Sequence, residues 1–88
     1  MRQIEYSGQF KRDIKRLKKR GKDMQKIRAP MKVLVEGDDL PEIFLDHPLK
    51  GSWKGCRDLH IQPDWILIYR LTGNLIRFER TGSHSDLF

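Results

Sequence analysis

Gly55-Cys56-Arg57-Asp58-Leu59-His60-Ile61-Gln62-Pro63-Asp64-Trp65-Ile66-Leu67-Ile68-Tyr69-Arg70 is the stretch on which the fold turns. Pro63 presets the backbone angle a turn wants and Asp64 can bond its own backbone, so the pair reads as the tip of a hairpin between two strands. The run from Trp65 to Leu71 is β-branched and aromatic, apolar on both parities and too short for an ordinary helix, which marks a central strand. A central strand needs a neighbour on each side and a covering layer. The flanking segments offer both.

Downstream, Thr72-Gly73-Asn74 forms a turn into a last strand, Leu75 to Thr81, and Gly82 to Phe88 leaves room for one helical turn. Upstream, Gln3-Ile4-Glu5-Tyr6 alternates polar and apolar as a short strand does. Ser7 is placed to cap a helix whose apolar positions, Phe10, Ile14 and Leu17, make one narrow stripe, with Gly21 ending it. Asp23 can cap a second helix with Met24, Ile27, Met31 and Leu34 on one face and Gly37 at its end. With about two residues between them, the two helices form an antiparallel hairpin. Pro30 removes a backbone donor inside the second helix, at a cost of about 3 kcal/mol, so a kink or break is expected near Lys26 to Pro30. The acidic, proline-punctuated segment Glu36 to Asp46 reads as loop. The order strand, two helices, three antiparallel strands is an α+β domain with its helices on one sheet face, and the other face is expected to be free.

At 88 residues the chain is long enough for one core, and a single domain over residues 1–88 is expected. No apolar run is long enough to cross a bilayer. The N-terminus lacks the apolar stretch of a secretory signal, and the lone Cys56 cannot form an internal disulfide. A cytoplasmic protein is the expectation. Lys and Arg exceed Asp and Glu by 18 to 12, and the excess is uneven: residues 1–32 carry 12 basic and 3 acidic side chains, residues 33–88 carry 6 and 9. Such a balance points to a polyanion or an acidic protein partner. Lys11, Lys15, Arg16, Lys18 and Lys19 on the first helix are the candidate contacts to such a polyanion.

No glycine-rich phosphate loop, Cys-x-x-Cys pair or Gly-x-Ser-x-Gly elbow is present. His47, His60 and His84 lack the close spacing of a zinc pair, so neither a metal nor another cofactor is expected. What remains is His47, Asp58, His60, Asp64, Arg80, His84 and the terminal aromatic Phe88. Metal-free RNA cleavage needs this inventory: a base for the ribose 2′-hydroxyl, an acid for the leaving 5′-oxygen, a cation for the phosphate and a ring on which a base can stack. Each has an ordinary alternative. Asp64 is a common turn residue, Trp65 is most simply core, and the basic helix face can be plain solvated surface. Strand parity also places Arg80 with Ile76 and Phe78, so only a twist, a bulge or the strand end would free it from the core.

The runs Asp46 to Gly55, Arg57 to His60, Pro63 to Tyr69 and Arg77 to His84 resemble the YafQ branch of the RelE-type toxins of bacterial toxin–antitoxin pairs. The similarity covers the entire chain. It implies a RelE-like fold and a ribonuclease that enters the ribosomal A site, cuts mRNA during translation and is silenced by a cognate antitoxin. Carried over by position, His47, His60, Asp64 and His84 match the proton-transfer groups, Arg80 the phosphate-binding arginine and Phe88 the C-terminal aromatic; Asp58 and Trp65 stand where functional or supporting residues do. The expected arrangement puts His84 on one side of the scissile phosphate and Asp64 with His60 on the other, giving a 2′,3′-cyclic phosphate and a 5′-hydroxyl. Two alternatives stand beside it. A ParE-like toxin would poison a target such as gyrase by binding, and a non-catalytic ribosome- or RNA-binding domain would be indifferent to His84.

Overall fold

The computed structural model describes residues 1–88 as a five-stranded sheet with its two long helices laid on one face. In chain order the elements are β1 (Gln3–Tyr6), α1 (Gly8–Lys19), α2 (Gln25–Glu36), β2 (His47–Pro48), β3 (Arg57–Gln62), β4 (Trp65–Thr72), β5 (Leu75–Gly82) and α3 (His84–Leu87). The sheet order is β1-β5-β4-β3-β2, which puts the apolar run from Trp65 at the centre. Every residue from Trp65 to Tyr69 is buried, as a strand covered on both faces requires. β3, β4 and β5 are antiparallel neighbours, and β1 lies parallel to β5.

The helix starts follow local chemistry. Ser7 Oγ accepts the Phe10 backbone N–H and caps α1. Asp23 Oδ1 accepts from Gln25 N at the start of α2, and Gly37 ends α2 in the left-handed conformation. Two expectations change here. The connection between the helices runs from Arg20 to Met24, longer than the expected two residues. Of the kink or break expected near Lys26 to Pro30, the break is absent: α2 runs from Gln25 to Glu36 without interruption. Pro30 is fully buried, so its apolar ring helps to offset the backbone hydrogen bond it cannot make.

The main core lies between helices and sheet, where Phe10, Leu17, Ile27 and Leu34 meet Leu59, Trp65, Leu67, Tyr69, Ile76 and Phe78. The other sheet face is not free, as had been expected. Ile66 and Ile68 of β4 are covered there by Cys56 and Leu87, with Leu49 and Trp53 against them. This smaller cluster draws on loop and terminal residues, whose apolar positions follow no period.

Candidate active site

Strand register builds the site. His47 of β2 pairs with Asp58 of β3, Asp58 with Ile68 of β4, and Ile68 with Arg80 of β5, so one row crosses four strands. The next row on the same face is His60, Ile66 and Gly82. The parity conflict at Arg80 is resolved by a bulge: Tyr69 pairs with Phe78, Ile68 with Arg80, and Glu79 is the extra residue. That insertion moves Arg80 from the helix side to the face that carries Asp58 and His60.

The three histidines, far apart in sequence, come together. The His47 and His60 rings lie 6.2 Å apart, those of His60 and His84 5.7 Å apart, and Phe88 stands 6.4 Å beyond His84. His84 reaches the row because Ser83 caps α3 in a reciprocal capping box with Asp86, turning the chain back over the sheet. Phe88 is 61% exposed, as a ring that is to stack on a base must be.

Two of the histidines rest on carboxylates. His47 Nδ1 lies 2.9 Å from the Leu45 carbonyl and 3.0 Å from Asp58 Oδ1, off the line of a hydrogen bond to the latter. With acceptors on that side, the ring carries its proton at Nδ1 and leaves Nε2 open. Leu45 takes a left-handed backbone, φ 52°, where it presents this carbonyl. Asp58 is buried, and that burial pushes its carboxyl above the usual range against the opposing pull of His47 and His60. His84 donates its backbone N–H and its Nδ1 to Asp64 Oδ1, at 2.9 and 2.7 Å. Those two bonds, the backbone one foremost, hold the exposed Asp64 carboxyl below its usual range.

Several expectations change. Asp64 bonds to His84, so the two are not on opposite sides of a scissile phosphate with Asp64 beside His60. Trp65 is 1% exposed and donates Nε1–H to Thr81 Oγ1, so it is core and cannot touch a substrate. Asp58 is buried 3.0 Å from His47 Nδ1, a position that suits it to support that ring. Arg16 is not part of a free basic face: its Nη2 lies 3.0 Å from Asp13 and 3.7 Å from Asp86. Lys11, Lys15, Lys18 and Lys19 are exposed on α1 as expected. Asp13 was not singled out from the sequence. It is fully buried and accepts from Arg80 Nε at 2.8 Å and Nη2 at 3.1 Å. The signal that could have found it is its place on the apolar stripe, three residues after Phe10 and four before Leu17.

The family model described as "Bacterial toxin of type II toxin-antitoxin system, YafQ" matches residues 2–88, and the chain belongs to that family. It is 57% identical over 88 residues to the mRNA interferase toxin YafQ of Escherichia coli K12, covering 99% of this chain and 96% of that protein. The crystal structure of YafQ from E. coli BL21(DE3) superposes with a TM-score of 0.95 at 55% identity, covering 100% of this chain and 99% of that one. In the crystal structure of the E. coli DinJ–YafQ complex the TM-score is 0.93 at 56% identity, with 100% and 99% covered. The RelE-like α+β fold expected from the sequence is therefore the fold of the family.

Proposed function

We propose that this chain is the mRNA endoribonuclease of a toxin–antitoxin pair, cutting translated mRNA in the ribosomal A site and silenced by its cognate antitoxin. The observation that carries this is the histidine row with its two carboxylate supports, since His47 and His84 each have Nδ1 held and Nε2 left to exchange a proton. One ring takes the proton of a ribose 2′-hydroxyl as that oxygen attacks phosphorus. The P–O5′ bond breaks, and a second ring gives its proton to the leaving 5′-oxygen, leaving a 2′,3′-cyclic phosphate and a 5′-hydroxyl. Arg80 holds the phosphate as charge builds on it, His60 lies between the other two rings, and Phe88 stacks on a neighbouring base. Every step is carried by side chains, with no cofactor. The exposed lysines of α1 supply long-range attraction to ribosomal RNA. The E. coli relative that carries the interferase name, and the solved complex with DinJ, support both the activity and the antitoxin.

Cleavage in a reconstituted translation mixture, with ends mapped, tests this. The parent is expected to cut within translated codons and to spare the same RNA without ribosomes. His84→Ala should fold as the parent does, Arg80→Ala should fold less stably because the buried Asp13 loses its main partner, and both should lose cutting by about 10²–10⁴-fold, the usual worth of a proton-transfer group or charge clamp. Translation that stops with mRNA intact, equally in both variants, would overturn the catalytic reading.

A further inference from the structure

We infer that Asp13 is a positioning residue for the cleavage reaction: from α1 it fixes the guanidinium of Arg80 in the orientation that receives the scissile phosphate. This rests on the reading of Arg80 as the phosphate ligand. Asp13 is the only acidic residue of α1 and is 0% exposed. A carboxylate so placed is costly unless paired, and a well-packed apolar side chain would serve stability as well or better. It is paired in a directed way. Both oxygens take Arg80, through Nε and Nη2, and Oδ2 also accepts Thr81 N at 3.1 Å. The fork is thereby locked to the backbone of β5 just after its bulge.

Arg80 Nη1 has no protein acceptor, and the side chain is 18% exposed, so one edge of the fork remains for an incoming anion. A lone Asp–Arg pair would be neutral and attract phosphate poorly. Asp13 is shared: Arg16 Nη2 lies 3.0 Å from Oδ1, leaving the three groups with a net positive charge. Arg16 in turn approaches Asp86, which Arg20 Nη1 holds at 2.7 Å. Gly82 permits this crowding, since a Cβ there would lie 2.9 Å from Asp86 Oδ2 and 3.2 Å from Arg16 Nη2. An arginine fixed before substrate arrives has already lost its rotamer freedom, so the phosphate meets a prepared cation.

Asp13→Asn keeps the shape but removes the charge and turns an amide toward Arg80. Single-turnover cleavage in the translation mixture is expected to slow by about 10- to 100-fold, with the toxin concentration giving half-maximal rate unchanged. Because Asp13 acts through Arg80, the substitution should add no further loss to Arg80→Ala. A parental rate for Asp13→Asn beside a slow Arg80→Ala overturns the inference, as does an equal loss in both backgrounds, which marks a structural role. An Arg80→Ala variant that cuts like the parent removes the reading of Arg80 itself. If Asp13→Asn does not fold, the parent decides: the Arg80 Nε–Hε resonance should exchange far more slowly than that of the exposed Arg28, and equal exchange overturns the inference.

Discussion

The two faces of the sheet solve different problems with alternate residues of the same strands. Toward the helices, Leu59, Trp65, Leu67, Tyr69, Ile76 and Phe78 enter one apolar cluster with residues of α1 and α2. Toward the opposite side, the intervening positions give a cluster of four buried residues bordered by His47, Asp58, His60, Arg80 and His84. The helix face is mainly apolar, with the paired Asp13 as its one buried carboxylate, and its packing fixes strand register. The opposite face can then hold a buried carboxylate and closely spaced imidazoles that would destabilise a sheet lacking such support. Stability is concentrated on one side and chemistry on the other, and the bulge at Glu79 is the point where β5 transfers Arg80 from the first to the second.

Large-to-small changes test that division most severely. Phe78 is fully buried, with the rings of Tyr6 and Phe10 at 5.8 and 5.7 Å. Phe78→Ala should cost about 3–5 kcal/mol in denaturant unfolding, enough to unfold much of a small domain. Leu87→Ala, in the smaller cluster near the chain end, should cost no more than about 2 kcal/mol and still lower cleavage by loosening His84 and Phe88. Equal destabilisation by the two would break the contrast between the faces.

Asp86 joins the two faces, since α3 covers the smaller cluster while its carboxylate reaches back to α1. Arg20's hydrogen bonds foremost, and the Ser83 backbone N–H after them, hold Asp86 well below the usual carboxylate range. A depressed carboxyl contributes stability that is complete above its unfolded value of about 3.9 and is lost as pH falls through the lower folded one. Asp86→Asn should therefore cost about 1–2 kcal/mol at neutral pH and reduce the acid sensitivity of unfolding below pH 4. Parental amide-exchange protection across His84 to Phe88 in that variant would show that the tie to α1 does not hold the tail.

Pro63-Asp64 and the apolar run after it made the hairpin, the central strand and the α+β order legible, because turn chemistry and strand composition are local. The grouping of His47, His60 and His84 was legible only in part: Asp58 and His60, two residues apart on a strand, share a face by alternation alone, but the approach of His84 depends on α3 folding back, and Asp64's choice of His84 over His60 depends on the same turn. A bulge was one of three ways named to free Arg80, yet no residue announces its place at Glu79. Asp13 sat among lysines and arginines, where an acidic side chain reads as surface. A break at Pro30 did not follow for the opposite reason, since the cost of the proline is local and the burial that offsets it is tertiary.

The smallest effect is expected at Asp58, and its sign is the informative part. Burial raises the Asp58 carboxyl, so folding favours its protonated form; that stability is complete below the unfolded value and is lost as pH rises through the folded one. At neutral pH the ionised group costs stability despite His47 at 3.0 Å. Asp58→Asn imitates the protonated form and should raise stability at pH 7 by about 1 kcal/mol or less, with the gain shrinking toward acid pH. Cleavage should fall at the same time, because His47 loses the charge beneath it. Thermal unfolding at several pH values beside a cleavage assay separates these effects. A variant destabilised at pH 7 would mean that the ion pair with His47 outweighs desolvation, and the face opposite the helices would then stabilise its own polar groups without relying on the core behind it.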